Sequence, residues 1–173
     1  DLELVAAGLK DAFGQQASQV PEAELQAAFQ VLQGKMQAAA EAAAKEAAQA
    51  GVDFLVENAK REGVVTLPSG LQYEVVTAGT GATPEASSTV QTHYEGTLIS
   101  GEVFDSSYKR GQPAEFPVGG VIAGWTEALQ LMQEGAKWRL FIPSELAYGA
   151  RGAGNSIPPH SALVFDIELL KVL

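Results

Sequence analysis

The apolar positions of the chain change their period near residue 66, which divides it into two parts. In the first part apolar residues recur every three or four positions, the spacing of one face of an α-helix, as at Leu25, Phe29, Leu32 and Met36. In the second part they alternate with polar residues in short runs, as in β-strands. We therefore predict a helical region over residues 1–63 and a second domain over residues 66–173.

The helical region is predicted to hold a short helix over residues 2–13 and a long helix that begins at Pro21 and Glu22. Its apolar stripe is large up to Met36 and thins to alanine over residues 38–50, which predicts an exposed stalk. The apolar surface before the stalk is too small to form its own core. A homodimer through residues 1–36 is therefore predicted, with folding of the stalk onto its own domain as the alternative.

The second domain is predicted to be mostly sheet. Alternating apolar residues indicate strands near residues 71–75, 90–94, 103–104, 114–118, 138–142 and 163–169. One helix-period run over residues 118–132 interrupts them, with Trp125 facing inward, Thr126 facing water and Gly135 ending the helix. The predicted fold class is α+β, an antiparallel sheet wrapped around one short helix.

Composition excludes several kinds of partner. A net charge of −10 argues against binding to nucleic acid, and no apolar run approaches the ~20 residues of a membrane-spanning helix. The chain has no cysteine, and its two histidines, His93 and His160, lie far apart in sequence. We therefore expect neither a metal site nor a cofactor. The absence of cysteine is compatible with the cytoplasm or the periplasm.

The second domain contains no Gly-x-Ser-x-Gly, His-Glu-x-x-His or phosphate-loop motif. It does contain aromatic and branched residues close to turns, which are typical either of an ordinary core or of an apolar pocket: Tyr94, Phe104, Phe116, Val121, Ile122, Trp125, Tyr148, Ile157 and Phe165. Asp105 directly follows Phe104 and needs a hydrogen-bond donor in such a setting, for which Arg110 or a tyrosine hydroxyl would serve.

Five motifs follow one another in a characteristic order. They are Thr92-His-Tyr-Glu-Gly-Thr-Leu, Val103-Phe-Asp-Ser-Ser, Val121-Ile-Ala-Gly-Trp, Leu146-Ala-Tyr-Gly and Ile157-Pro-Pro-His-Ser-Ala-Leu-Val-Phe. In this order, residues 66–173 resemble the FKBP-type peptidyl-prolyl cis-trans isomerases (rotamases). The helical part with its alanine-rich stalk resembles the bacterial Mip and FklB branch, whose members are V-shaped homodimers.

The resemblance implies a role for each matching residue. Trp125 would be the floor of a pocket, with Tyr94, Phe104, Phe116, Val121, Ile122 and Phe165 as walls, Tyr148 and Ile157 at the rim, and Asp105 as the polar residue. The resemblance assigns catalysis to Tyr94, Phe104, Asp105, Tyr148 and Phe165, and binding of substrate or macrolide to Phe116, Val121, Ile122, Trp125 and Ile157.

The Ile122 N–H and the Tyr148 hydroxyl would donate to carbonyls of a proline-containing chain, or of macrolides such as tacrolimus and rapamycin. Ala114, Ala153 and Ser156 stand where the best-known members have bulkier residues, so the pocket is expected to be more open on those sides.

The function that follows is acceleration of X-Pro isomerisation during protein folding. Because a planar imide is more dipolar than a twisted one, a dry aromatic pocket favours the twisted transition state and needs no acid or base. The alternative is a dimeric chaperone or binding module that holds proline-containing segments with little turnover. The FklB likeness favours a cytoplasmic location, with the periplasm as the alternative.

Overall fold

The computed structural model describes residues 21–173. Its α-helices are α1 Glu22–Asn58, α2 Ser107–Arg110 and α3 Ala123–Leu129. The strands are β1 Val64–Thr66, β2 Gln72–Thr77, β3 Thr89–Leu98, β4 Val103–Ser106, β5 Ala114–Pro117, β6 Lys137–Ile142 and β7 Leu163–Val172. Short 3₁₀ turns occupy Val118–Gly120, Ser144–Leu146 and Gly149–Arg151. The helix predicted over residues 2–13 lies outside the described residues.

Helix α1 begins where the sequence predicts. The carbonyl oxygen of Pro21 accepts hydrogen bonds from the N–H groups of Glu24 and Leu25 at 2.9 and 3.1 Å, and Glu22 and Glu24 lie in the first turn, at the positive end of the helix dipole. The helix ends at Asn58, before Gly63, and a turn then leads into β1. The sequence did not predict β1, because three residues are too few to show a strand period.

Within residues 21–173 the strands form one antiparallel sheet in the order β1-β2-β6-β7-β3-β4, with β5 paired to β3. The core lies between this sheet and α3, and it contains the inward side chains of β6 and β7: Trp138, Leu140, Ile142, Leu163, Phe165, Ile167 and Leu169. The alternating burial along β3 and β7 is the period that the sequence shows. The predicted α+β class is confirmed.

The last part of α1 packs on the opposite face of the sheet. The Asn58 amide donates to Gln72 Oε1 at 2.8 Å, and Gln72 Nε2 donates to the Leu55 carbonyl at 2.9 Å. The rings of Phe54 and Phe141 lie 6.0 Å apart. The described chain divides into compact units between Ala42 and Ala43. Residues 43–58 therefore belong with the sheet, whereas the sequence pattern assigns helix up to residue 63 to the helical region.

A chain that begins at Ala43 is therefore expected to be more stable than one that begins at Thr66. The shorter chain loses Asn58 and Phe54, so Gln72 loses a buried partner and Phe141 becomes exposed. Loss of the two hydrogen bonds of Gln72 and of one aromatic contact corresponds to about 2–4 kcal/mol. Denaturant unfolding of the two truncated chains measures this difference, and equal midpoints would contradict the packing described above.

Candidate active site

Trp125 lies at the centre of a cluster of four aromatic rings. Its indole meets the rings of Tyr94, Phe116 and Phe165 edge to face, at centroid distances of 5.2, 5.6 and 5.3 Å and interplanar angles of 83–85°. Trp125 is 4 % exposed. Edge-to-face contacts of this kind are each worth about 0.5–1.5 kcal/mol beyond the area that they bury. The indole is therefore held rigidly from three sides.

Helix α3 carries Trp125 and is shorter than the sequence predicts. It spans Ala123–Leu129 rather than most of residues 118–132, because Val121 and Ile122 are extended and Val118–Gly120 forms a 3₁₀ turn. Gly135 has φ of +88° in a later turn and does not end the helix. A Cβ on Gly124 would lie 2.6 Å from Ile142 Cγ2, so only glycine lets α3 approach β6 this closely.

An open cavity of about 480 Å³ lies over Trp125. Its lining residues come from four strands, from the segment 120–125 and from the loop at Tyr148. They are Tyr94, Phe104, Asp105, Phe116, Gly120, Val121, Ile122, Trp125, Tyr148 and Phe165. Phe104 of β4 and Phe165 of β7 pack edge to face at 5.5 Å. A Cβ on Gly96, on the strand between them, would lie 2.6 Å from each of these two rings. Sequence reasoning missed Gly96, and a glycine inside a strand was the available signal.

Asp105 is the acidic residue of the cavity, and it is bound by two donors. The Tyr94 hydroxyl donates to Asp105 Oδ2 at 2.6 Å, and the Arg110 guanidinium pairs with Asp105 Oδ1. Arg110 also donates to the Tyr94 hydroxyl oxygen at 2.8 Å. Both expected kinds of partner for Asp105, an arginine and a tyrosine hydroxyl, are therefore present.

Helix α2 is the element that brings Arg110 back to Asp105. Ser106 caps its N-terminus, where Ser106 Oγ accepts from the Lys109 N–H at 3.3 Å, and Gly111 ends it with φ of 74°. In the first turn, the fully buried Ser107 hydroxyl accepts from the Tyr94 N–H at 2.8 Å. One short helix thus holds both donors of Asp105.

These contacts fix the protonation of the cluster. Burial alone would raise the pKa of Asp105, but the hydrogen bonds from Tyr94 and Arg110, together with the guanidinium charge, bring its pKa below the ordinary value. Burial raises the pKa of Tyr94, and the bond to the Asp105 carboxylate raises it further. Near neutral pH the carboxylate is therefore ionised, the phenol is protonated and the carboxylate charge is balanced by Arg110.

The rim of the cavity offers two donors to a ligand. Tyr148 precedes the 3₁₀ turn Gly149–Arg151 and is 39 % exposed, so its hydroxyl can be reached from solvent. Ile122 precedes the first residue of α3, and its N–H has no backbone acceptor among residues 21–173. An unpaired N–H beside an apolar floor is suited to a carbonyl oxygen of a bound chain.

Of the ten residues predicted for the site, Ile157 is the one that the structure places elsewhere. It was expected at the rim, but it is 5 % exposed and packs in the core. Its N–H and carbonyl both bond to Ala153, at 3.1 and 2.9 Å, in an isolated antiparallel bridge. This bridge closes the loop and turns the Ile157 side chain inward.

His93 lies on the face of the sheet opposite the cavity. Its ring stacks on Tyr108 at 4.7 Å, and Nδ1 is 2.9 Å from the Ser107 hydroxyl. In the part of the chain that the structure describes, no group of three or more histidine or acidic side chains could hold a metal ion. No helix there is long and apolar enough to cross a bilayer.

Comparison with protein families gives two matches that together cover most of the chain. Residues 80–170 match the model of the FKBP-type peptidyl-prolyl cis-trans isomerases, and residues 1–75 match that of the domain amino-terminal to this isomerase. The chain is 50 % identical over 171 residues to the FKBP-type 22 kDa peptidyl-prolyl cis-trans isomerase of Escherichia coli, covering 99 % of this chain and 83 % of that protein.

Other relatives are longer than this chain or cover less of it. FkpA of Aeromonas hydrophila is 47 % identical, with 99 % of this chain matched to 65 % of its length. The crystal structure of FkpA from Escherichia coli superposes with a TM-score of 0.81 at 43 % identity, covering 99 % of this chain and 82 % of that one. The crystal structure of a peptidyl-prolyl cis-trans isomerase from Pseudomonas syringae superposes with a TM-score of 0.70 at 45 % identity, covering 74 % of this chain and 94 % of that one.

The chain therefore belongs to the FKBP-type peptidyl-prolyl cis-trans isomerases, enzymes that interconvert the cis and trans forms of X-Pro bonds. Its substrates are proline-containing polypeptides. The family assignment favours the enzyme over the alternative of a binding module with little turnover.

Replacing Tyr94 by phenylalanine is expected to raise the pKa of Asp105, because the ionised carboxylate loses a donor that stabilises its charged form. The stability that this carboxylate contributes is present above its unfolded-state pKa and disappears as pH falls through the folded-state pKa. In Tyr94→Phe the folded-state pKa of Asp105 lies closer to its unfolded-state pKa, so this contribution is smaller and is fully lost at a higher pH. Carboxyl NMR titration measures the pKa of Asp105 in the wild type and in the variant. Tyr108→Phe is the control, because the Tyr108 hydroxyl bonds to Glu168 and not to Asp105. An unchanged pKa in Tyr94→Phe would contradict the assigned hydrogen bond.

Proposed function

We propose that the cavity over Trp125 is the site where the X-Pro bond twists, and that its lining residues have the roles that the family resemblance implies. The observation that carries the proposal is a rigid floor of edge-to-face rings beside an acidic group whose charge is already balanced. A proline ring fits such a floor because it is apolar and compact. The cavity is also large enough for part of a macrolide such as tacrolimus or rapamycin.

The barrier to X-Pro isomerisation, ~18–20 kcal/mol, comes from loss of amide resonance during rotation. The planar ground state is more dipolar than the twisted state, so transfer from water into an aromatic cavity disfavours the ground state more. A reduction of ~5–7 kcal/mol would accelerate the reaction by roughly 10⁴–10⁵. Because Asp105 remains ionised and paired, it is not suited to transfer a proton in this mechanism.

The two polar groups at the rim are proposed to orient the substrate. The Ile122 N–H and the Tyr148 hydroxyl would donate to carbonyl oxygens of the bound chain other than that of the X-Pro imide. Hydrogen bonds at these carbonyls leave the imide itself without a strong donor on its oxygen, so the oxygen is free to rotate. Asp105, held by Tyr94 and Arg110, keeps the Tyr94 ring in its edge-to-face contact with Trp125.

Variants of the polar residues test this site. Tyr148→Phe and Asp105→Leu are expected to lower kcat/KM on a short proline peptide by about threefold or more, the effect of losing one or two hydrogen bonds. Tyr73→Phe is the matched control, because Tyr73 stacks on Trp138 at 4.2 Å and does not line the cavity. A protease-coupled assay measures kcat/KM, and tacrolimus should inhibit the wild type competitively. Full activity in both cavity variants would contradict the assignment.

We also propose a homodimer through residues 1–36. In the described part of this region the apolar side chains of α1 are exposed: Leu25 44 %, Phe29 57 %, Val31 58 %, Leu32 51 % and Met36 64 %. Large apolar surface on one helix is unfavourable in water and is typical of an interface between subunits. Two cavities joined in this way can bind one polypeptide, since the second encounter becomes intramolecular.

Charges in the apolar stripe are expected to break this dimer. Phe29→Glu with Leu32→Glu should give a monomer in sedimentation experiments, while Val56→Glu, a 55 % exposed position further along α1, should remain dimeric. The monomer should keep its activity on a short peptide and should be slower on a refolding protein limited by proline isomerisation. A monomeric wild type, or a dimeric double variant, would overturn the proposed interface.

A further inference from the structure

We propose that Thr126 is a positioning residue for the reaction, because its side chain fixes the segment that forms one side of the cavity. Thr126 Oγ1 donates to the carbonyl oxygen of Val118 at 2.8 Å. Residues 119–125 lie between these two groups, and four of them line the cavity: Gly120, Val121, Ile122 and Trp125. The proposal rests on the proposed function of this cavity.

The Val118 end of this segment is firmly held. Val118 is fully buried, and its N–H donates to the carbonyl oxygen of Ser88 at 2.9 Å. Gly120 packs against Pro117 so closely that a Cβ would lie 2.7 Å from the proline Cγ. The Thr126 hydroxyl therefore connects the first turn of α3 to a fixed point, rather than to another mobile part of the loop.

The residues in the middle of the segment have fewer constraints of their own. Val121 and Ile122 are extended, with ψ of 179° and 150°, and the Ile122 N–H has no backbone acceptor among residues 21–173. The Ile122 carbonyl accepts from the N–H groups of Trp125 and Thr126 at 2.9 and 3.1 Å. Thr126 thus holds the segment twice, through its backbone at Ile122 and through its hydroxyl at Val118.

The position of Thr126 differs from the sequence expectation. Helical periodicity places it on the water-facing side of α3, but the side chain is half-buried and its hydroxyl turns back along the chain to Val118. Loss of this bond would leave Trp125 packed among its three rings, yet it would free the direction of the Ile122 N–H. We therefore expect the orientation of the substrate to suffer more than the stability of the floor.

Replacing Thr126 by valine tests the proposal, because valine has the same shape and lacks only the hydroxyl. Thr126→Val is expected to lower kcat/KM on a short proline peptide by about two- to tenfold, the range that one ordinary hydrogen bond corresponds to. Thr126→Ser keeps the hydroxyl and should restore most of the activity. Backbone amide NMR of the ligand-free protein should show a shift at Ile122 in the valine variant and a much smaller one in the serine variant.

Thr92→Val is the matched control for the same chemical change. Thr92 is fully buried on β3, and its Oγ1 has no hydrogen-bond partner among residues 21–173. Its replacement should leave both kcat/KM and the Ile122 amide unchanged. Thr126→Ala also removes the hydroxyl, and alanine favours a helix more than valine does. It therefore repeats the test if the valine variant folds poorly.

The outcomes separate this proposal from the proposed function. Three results would overturn the positioning role. They are an Ile122 amide shift unchanged from the Thr92→Val control, an equal loss of activity in Thr126→Val and Thr126→Ser, and full activity in Thr126→Val while Asp105→Leu and Tyr148→Phe lose activity. A shifted Ile122 amide with full activity, together with full activity in Asp105→Leu and Tyr148→Phe, would overturn the cavity as the site of reaction. A shifted amide with reduced activity that serine restores supports both.

Discussion

The edge-to-face packing of three rings around Trp125 is the constraint on which the site depends. Tyr94 comes from β3, Phe116 from β5 and Phe165 from β7, so the indole contacts side chains of three strands at once. Rings arranged in this way cannot slide past one another without losing contact, since each edge meets a face. The sheet and the short helix are thereby locked together at the point where a ligand would be bound.

The polar cluster completes this constraint. An isolated carboxylate beside aromatic rings would be unfavourable, because burial disfavours its charge. Tyr94 and Arg110 offset this desolvation cost, because between them they bind both oxygens of Asp105. The same tyrosine contributes its ring to the floor contacts and its hydroxyl to the cluster, and Ser107 holds its backbone from the other side. Apolar and polar parts of the site therefore share one residue.

Much of the fold could be predicted from sequence, because the change from helical to strand period coincides with a real change in structure. The strands near Tyr94, Phe104 and Phe165 were found from alternation alone, and nine of the ten predicted site residues line the cavity. Ile157 could not be placed, since its direction depends on a bridge to Ala153 within an irregular loop. Thr126 was misplaced for a related reason: periodicity predicts a face, whereas hydrogen bonds to a neighbouring turn decide the direction of a short side chain.

Glycine explains other features that period alone does not predict. Gly96 and Gly124 stand where a single methyl group would collide with a ring of the site or with Ile142. Such positions carry no hydrophobic signal of their own. Their neighbours are known only when the adjacent strand or helix is in place, which is why sequence reasoning found the rings but missed Gly96 between two of them.

The internal neutralisation of Asp105 has a consequence for the chemistry of inhibitors. Since the carboxylate is already occupied by Tyr94 and Arg110, a basic amine in a ligand would gain little from it and would still have to lose its own hydration. The proposed substrate site would instead favour uncharged molecules with a compact saturated ring and carbonyl groups on either side. Such compounds also cross lipid bilayers more readily than ionised ones, so affinity and cell entry favour the same molecular properties.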